Sequence, residues 1–345
     1  MTAKAEARGQ EVVFCESEGY EQGYLDACEA CDGWEIRYFE GTVNELPDEV
    51  REAVTVLSCF IRSRVSREFI ETCPNLKLVA TRSAGYDHID LKACQEWGVT
   101  VCNVPQYGEN TVAEHTLGLI LTLSRHVYEG VDRVKRGNLG LDGLLGFDLH
   151  GKTLGVIGAG RIGLRVARFG VALNMRVLAY DLRPNDLLAE VVGFEYRDLD
   201  GLLRESDVVS VHVPLMPATQ HLLDAERLAL MKPTAVLVNT SRGGIIDSRA
   251  LLDALNQNRL AAAALDVLEN EDVITEDRVL TRDLSLEKLQ LAVESYQLIH
   301  HPRVLVTPHM AFYSQEALQR IVTTTVENIA GFAAGSPANV VASPA

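Results

Sequence analysis

One stretch constrains this chain more than any other: Thr153-Leu154-Gly155-Val156-Ile157-Gly158-Ala159-Gly160-Arg161-Ile162-Gly163, a short apolar strand running straight into a G-x-G-x-x-G turn that opens a helix. Gly158 permits the tight turn, Gly160 lets the backbone approach a pyrophosphate, and Gly163 lets the helix pack close on the strand. The free N–H groups of the helix N-terminus then point at the phosphates. Any parallel sheet needs glycines at its turns, so the glycines alone do not decide the matter; the sequel does. A helix-like run from Arg161 to Leu173 leads into a second strand, Arg176 to Tyr180, ending at Asp181, about 20 residues downstream. A carboxylate there accepts hydrogen bonds from an adenosine ribose and repels a 2′-phosphate, which favours NAD over NADP.

A length of 345 residues suggests about two domains. The balance of 32 Lys+Arg against 48 Asp+Glu, a formal charge of −16, argues against nucleic acid or an anionic membrane surface as partner. An anionic substrate must therefore be met by a local cation. Met1 to Gln10 lacks the apolar core of a signal peptide, and no run of about 18 apolar residues follows, so a soluble cytoplasmic protein is expected. The 7 cysteines all fall in the first third, an odd number unsuited to a full disulfide framework, and read as reduced thiols. Cys28-Glu29-Ala30-Cys31 has no second Cys/His pair at zinc-ribbon spacing, so it reads as two small residues facing a core, and no metal site is expected.

The first hundred residues alternate short strands (Val12 to Phe14, Glu35 to Phe39, Val54 to Phe60, Leu76 to Thr81, Thr100 to Val104) with helix-like runs, an α/β pattern with its own core. A single long helix is expected from Asn110 to about Arg136, followed by a glycine-punctuated loop from Gly137 to Gly146. Strand–helix repeats continue through Val208 to Val213, Ala235 to Asn239, Ala262 to Leu265 and Val304 to Val306, since parallel strands need such crossovers. A last helix, about Gln315 to Ala334, is expected to return to the first domain. The fold class is therefore α/β, with two Rossmann-like doubly wound parallel-sheet domains. Residues 1–109 and 309–345 form a discontinuous substrate-binding domain, and residues 110–308 form the dinucleotide-binding domain.

Polar residues just past strand ends in such sheets face the ligand crevice. Three places qualify: Thr240-Ser241-Arg242-Gly243-Gly244, Asp266-Val267-Leu268-Glu269-Asn270-Glu271, and Thr307-Pro308-His309. An arginine, a carboxylate and a histidine at one sheet edge suit hydride exchange with a 2-oxo acid. A guanidinium grips a carboxylate in a bidentate fork and polarises the adjacent carbonyl. A histidine exchanges the proton, and a neighbouring carboxylate raises its pKa and orients it. Taken singly, Arg242 could serve a phosphate or the surface, Glu271 could face solvent and His309 could cap a turn.

With these motifs, His212-Val213-Pro214-Leu215 and Asn239-Thr240-Ser241-Arg242-Gly243, the chain resembles the D-isomer-specific 2-hydroxyacid dehydrogenase family from about Val54 to Ala334. The resemblance implies that Arg242 binds the substrate carboxylate, His309 is the acid/base, Glu271 pairs with it, and Asp266 lies near the nicotinamide carboxamide. It implies an NAD site built from Gly158, Gly160, Arg161, Ile162, Gly163, Asp181, Val213, Pro214, Thr240 and Asp266. The loop from Thr81 to Asp90 resembles the one whose amides, at Ala84 and Gly85, help hold the substrate carboxylate. Val104-Pro105-Gln106-Tyr107 and Ala311-Phe312-Tyr313 look most like the D-lactate dehydrogenase branch, where Tyr107 would contact substrate; the alternative is that Tyr107 and Phe312 are hinge or core aromatics. His88, Glu114 and His115 read as packing residues, and His300-His301 as an exposed loop.

The segment between Glu271 and Val304 carries Leu286, Leu289, Val293 and Leu298 at helical spacing, an insertion also typical of that branch. The expected function is NAD-dependent reduction of a small 2-oxo acid, foremost pyruvate to D-lactate, by a homodimer joined through the cofactor domain. Hydroxypyruvate, glyoxylate or another 2-oxo acid is the alternative within enzymes. An NADH-sensing interaction protein of the corepressor type is the alternative outside them.

Overall fold

The structure is a computed structural model, in which residues 11–269 and 286–344 are described. The chain divides into two compact units, Met1–Tyr107 with Ser314–Ala345, and Gly108–Tyr313. The last helix, Gln315–Ala333, thus belongs with the N-terminal unit. Ser314 starts it by accepting the Ala317 N–H on its hydroxyl at 3.2 Å.

The first unit holds strands β1 (Glu11–Cys15), β2 (Glu35–Phe39), β3 (Val56–Cys59), β4 (Leu78–Thr81) and β5 (Thr100–Cys102), with the closing strand β13 (Val340–Ala342). Their order is β13-β5-β4-β3-β1-β2, all parallel except β13. Strand order reverses between β1 and β3, where a doubly wound sheet opens a crevice at its carboxyl edge. Here that edge is closed by charge. The Glu16 carboxylate accepts the Phe60 and Arg62 N–H groups, each at 2.9 Å. Arg82, 1% exposed, pairs with Glu21 at 2.7 Å and donates to the Cys15 and Glu16 carbonyls at 2.7 and 3.0 Å. Burial pushes the Glu21 carboxyl up against the opposing pull of Arg82. A charge this deep persists only where an opposite charge meets it, as Glu21 does here.

The second unit holds β6 (Thr153–Ile157), β7 (Arg176–Tyr180), β8 (Glu195–Tyr196), β9 (Val208–Val211), β10 (Val236–Asn239), β11 (Ala262–Leu265) and β12 (Val304–Val306). The order β12-β11-β10-β9-β6-β7-β8 is wholly parallel, and both faces are buried, which is why these strands read as unbroken apolar runs. The reversal lies between β6 and β9.

Two differences from the sequence reading have physical causes. The single helix expected over 110–136 is two, Glu109–Arg125 and Val127–Lys135, because His126 adopts a left-handed backbone with φ 49° and ends the first. His309 lies in the second unit instead of opening the returning segment, because its N–H donates to the Asp266 carbonyl at 2.9 Å. The helix expected from Leu286 onward is present as Leu286–Ile299.

Candidate active site

Between β6 and the Arg161–Ala172 helix, Gly158 takes φ 96°, where side chains strain. A Cβ on Gly163 would run into the Gly158 carbonyl oxygen, so the helix can sit this close only with glycine there. A Cβ on Gly160, by contrast, would meet nothing within 4 Å, leaving open space over the turn for a pyrophosphate. Gly158 donates to the Tyr180 carbonyl at 2.8 Å, and His212 to the Ile157 carbonyl at 2.7 Å, bringing the ends of β7 and β9 to the turn. Asp181 sits beside it, its carboxylate accepting the Ala159 N–H at 2.9 Å.

The residues expected around the cofactor fall along this edge. Arg161 starts the helix and pairs with Glu109 at 3.4 Å, while Ile162 packs on the unit's core. Val213 lies against Gly158, the Pro214 carbonyl accepts the Thr219 hydroxyl at 2.6 Å, and the Thr240 and Thr116 hydroxyls meet at 2.9 Å. Burial pushes the His212 imidazole down to about 3, so it stays neutral, with Nε2 2.8 Å from the Ser210 hydroxyl. A glycine cradle, an open turn and a carboxylate at the next strand end fit a dinucleotide whose 2′-position is an unmodified hydroxyl.

Arg242, Asp266 and His309 follow the carboxyl ends of β10, β11 and β12, three strands side by side in one sheet. Asn239 shapes the first of these loops: its Nδ2 donates to the Arg242 carbonyl at 2.9 Å and its Oδ1 accepts the Ser241 N–H at 3.0 Å. The Arg242 loop packs directly on the β11 loop, with Gly243 against the backbone of Leu268 and Glu269. Glu271 lies outside the described residues. Its neighbour Glu269 is anchored by His221 at 2.7 Å and by the Ser248 hydroxyl at 3.2 Å, an anchor the sequence reading missed.

Asp266 is 1% exposed, and its carboxylate organises the His309 turn. Oδ1 accepts from the Thr307 hydroxyl at 2.5 Å and the Met310 N–H at 2.9 Å; Oδ2 accepts the Ala311 N–H at 2.8 Å. Burial alone would push this carboxyl up, but hydrogen bonds from His115, Thr307, Ala311 and Met310 outweigh it and hold the pKa below the ordinary carboxylate range. His309 itself has φ 52°, a left-handed backbone uncommon for residues other than glycine.

In the first unit, the loop after β4 turns its carbonyls inward. Ser83, Ala84 and Gly85 accept from the Val104 N–H at 3.0 Å, Asn103 Nδ2 at 2.8 Å and the Ser83 hydroxyl at 2.6 Å. Among the described residues no acceptor meets the Ala84 or Gly85 N–H. Tyr107 is held through its carbonyl, which accepts from Arg320 Nε at 2.8 Å.

Residues 117–311 match the family model for the NAD-binding domain of D-isomer-specific 2-hydroxyacid dehydrogenases. The chain is 36% identical to the D-lactate dehydrogenase of Escherichia coli over 319 residues, 92% of this chain and 94% of that one. It is also 36% identical to an aromatic 2-oxoacid reductase of Clostridium sporogenes over 285 residues, 81% of this chain and 82% of that one. Its fold matches the Aquifex aeolicus D-lactate dehydrogenase solved with NAD and lactic acid, with a TM-score of 0.88 at 35% identity over 97% of this chain and all of that one. The chain belongs to the D-isomer-specific 2-hydroxyacid dehydrogenases, NAD-dependent oxidoreductases acting on CH–OH groups, on the D-lactate dehydrogenase branch of that family.

Proposed function

We propose that this dehydrogenase interconverts a small 2-oxo acid and its D-2-hydroxy acid, with pyruvate and D-lactate as the foremost pair. The observation that carries the reading is the placement of Arg242, Asp266 and His309 at the ends of three adjacent strands. NADH, when bound, supplies the hydride. Arg242 grips the substrate carboxylate with its fork and polarises the neighbouring carbonyl. His309 gives its proton to the carbonyl oxygen as C2 becomes tetrahedral, and takes it back in the oxidative direction. Asp266 holds the turn that presents His309, and Glu271 is assigned as the carboxylate that pairs with it. The Ala84 and Gly85 amides are suited to a carboxylate oxygen, and Tyr107 is assigned to substrate contact.

A bulkier substrate is the second reading, favoured by the aromatic 2-oxoacid reductase among the relatives. Turnover with NADH against pyruvate, hydroxypyruvate, glyoxylate, phenylpyruvate and 2-oxoisocaproate separates the two. Highest kcat/KM with pyruvate, yielding D-lactate, supports the first reading; activity confined to phenylpyruvate moves the substrate.

A homodimer is part of this proposal. On the Val127–Lys135 helix and the loop after it, Val127, Val131 and Val134 are exposed, and Leu139, Leu141 and Leu145 are 80, 81 and 92% exposed. They border a shallow groove of about 490 Å³ lined by Val127, Val131, Val134, Leu141 and Leu144. An apolar patch of this kind marks a contact surface. A dimer by light scattering that L141D converts to a monomer supports the assignment; a monomeric wild-type protein contradicts it. Among the described residues no helix is long and apolar enough to cross a membrane. A reducing, cytoplasmic setting is also part of the proposal, supported by the odd number of cysteines.

A further inference from the structure

One side chain reaches the Asp266 carboxylate from outside the strand ends. His115, on the Glu109–Arg125 helix, places Nε2 3.3 Å from Thr307 Oγ1 and 3.5 Å from Asp266 Oδ1. Thr307 spends its own proton on Asp266, so its oxygen is free to accept, and the shared contact requires the proton of His115 to sit on Nε2. The next residue, Thr116, meets the hydroxyl of Thr240, two residues before Arg242. Consecutive residues of one helix turn thus brace the loops after β10 and β12.

We propose that His115 is a positioning residue: by completing the donor shell of the buried Asp266 carboxylate, it keeps the turn from Thr307 to Ala311 in the shape that presents His309. The inference rests on the reading of His309 as the acid/base. A side chain at φ 52° sits on strained backbone and persists only where its surroundings over-determine it. What over-determines it here is Asp266, through its carbonyl to the His309 N–H and its carboxylate to the Met310 and Ala311 N–H groups. A carboxylate with almost no exposure depends on its protein donors, so removing one loosens its hold on the others.

The test compares H115L, H115N and H115Q with H309Q and wild type. Leucine removes the donor and asparagine falls short of Asp266, so both are expected to lower kcat roughly tenfold to hundredfold. KM for the 2-oxo acid and Kd for NADH stay within about twofold. In both variants amide hydrogen exchange at Met310 and Ala311 accelerates without cofactor or substrate present. Glutamine, whose amide reaches the same place, restores both kcat and slow exchange. Wild-type kcat with unchanged exchange in H115N overturns the proposal, as does failure of H115Q to restore either, and H115N serves where H115L does not fold. Undiminished activity in H309Q would instead sink the acid/base reading, while the exchange rates still judge His115.

Discussion

The Asp181 carboxylate accepts the Ala159 N–H at 2.9 Å, joining the end of β7 to the middle of the glycine turn. Its other oxygen accepts the Arg183 N–H at 2.9 Å, which fixes the carboxylate's orientation. The carboxylate proposed to discriminate against a 2′-phosphate is therefore preset by backbone, with an arginine two residues away. D181S is expected to lower kcat/KM with NADH by at least about tenfold, the worth of a charge-assisted hydrogen bond, and to raise it with NADPH. Parallel steady-state assays with the two cofactors check this.

Arg242 is held by its strand end, so replacing it tests the fork and leaves the loop in place. R242K keeps the charge but loses the planar pair of donors. KM for the 2-oxo acid should rise about 10- to 100-fold, with Kd for NADH unchanged by fluorescence titration. An unchanged KM would mean that the substrate carboxylate is bound elsewhere.

Gly243 has no room for a side chain. A Cβ would collide with the Leu268 carbonyl and approach the Glu269 nitrogen, both of them backbone atoms that cannot swing aside. G243A should lose about 1–3 kcal/mol in denaturant unfolding and lower kcat, because the Arg242 loop and the loop that leads toward Glu271 are forced apart. A fully stable and active G243A would show that the two loops move independently.

The His212 imidazole sets an acid limit on stability. Burial lowers its pKa from 6.5 to about 3, so in falling pH the unfolded chain takes up the proton first. The stability it contributes is complete above about pH 6.5 and is lost as the pH falls from there toward 3. Urea midpoints measured between pH 7 and pH 4 should fall less steeply for H212N than for wild type. Equal slopes would place the titration elsewhere.

The glycine turn was legible because it is local: Gly158, Gly160, Gly163 and Asp181 lie on one strand–turn–helix–strand unit, where Gly158 needs its positive φ and Gly163 has no room for a Cβ. The strand-end positions of Arg242 and His309 were legible because polar residues after apolar strands mark a sheet's carboxyl edge. The break at His126 was not, since histidine's preference for a left-handed backbone is weak and the apolar spacing continues through it. His115 reads from the sequence only as a packing residue, and Arg82 only as part of its loop, because their partners are distant in sequence, 192 residues for His115 with Thr307 and 67 for Arg82 with the Cys15 carbonyl. The one signal available was a charged or polar side chain inside an otherwise apolar run.

The proposed catalysis stands most directly on His309, and the first measurement is single-turnover reduction of pyruvate by H309Q with NADH prebound. Loss of a positioned general acid predicts a hydride-transfer rate lower by about 10²- to 10⁴-fold, with Kd for NADH unchanged. A rate equal to wild type would contradict the assignment of the β12 strand end as the catalytic centre.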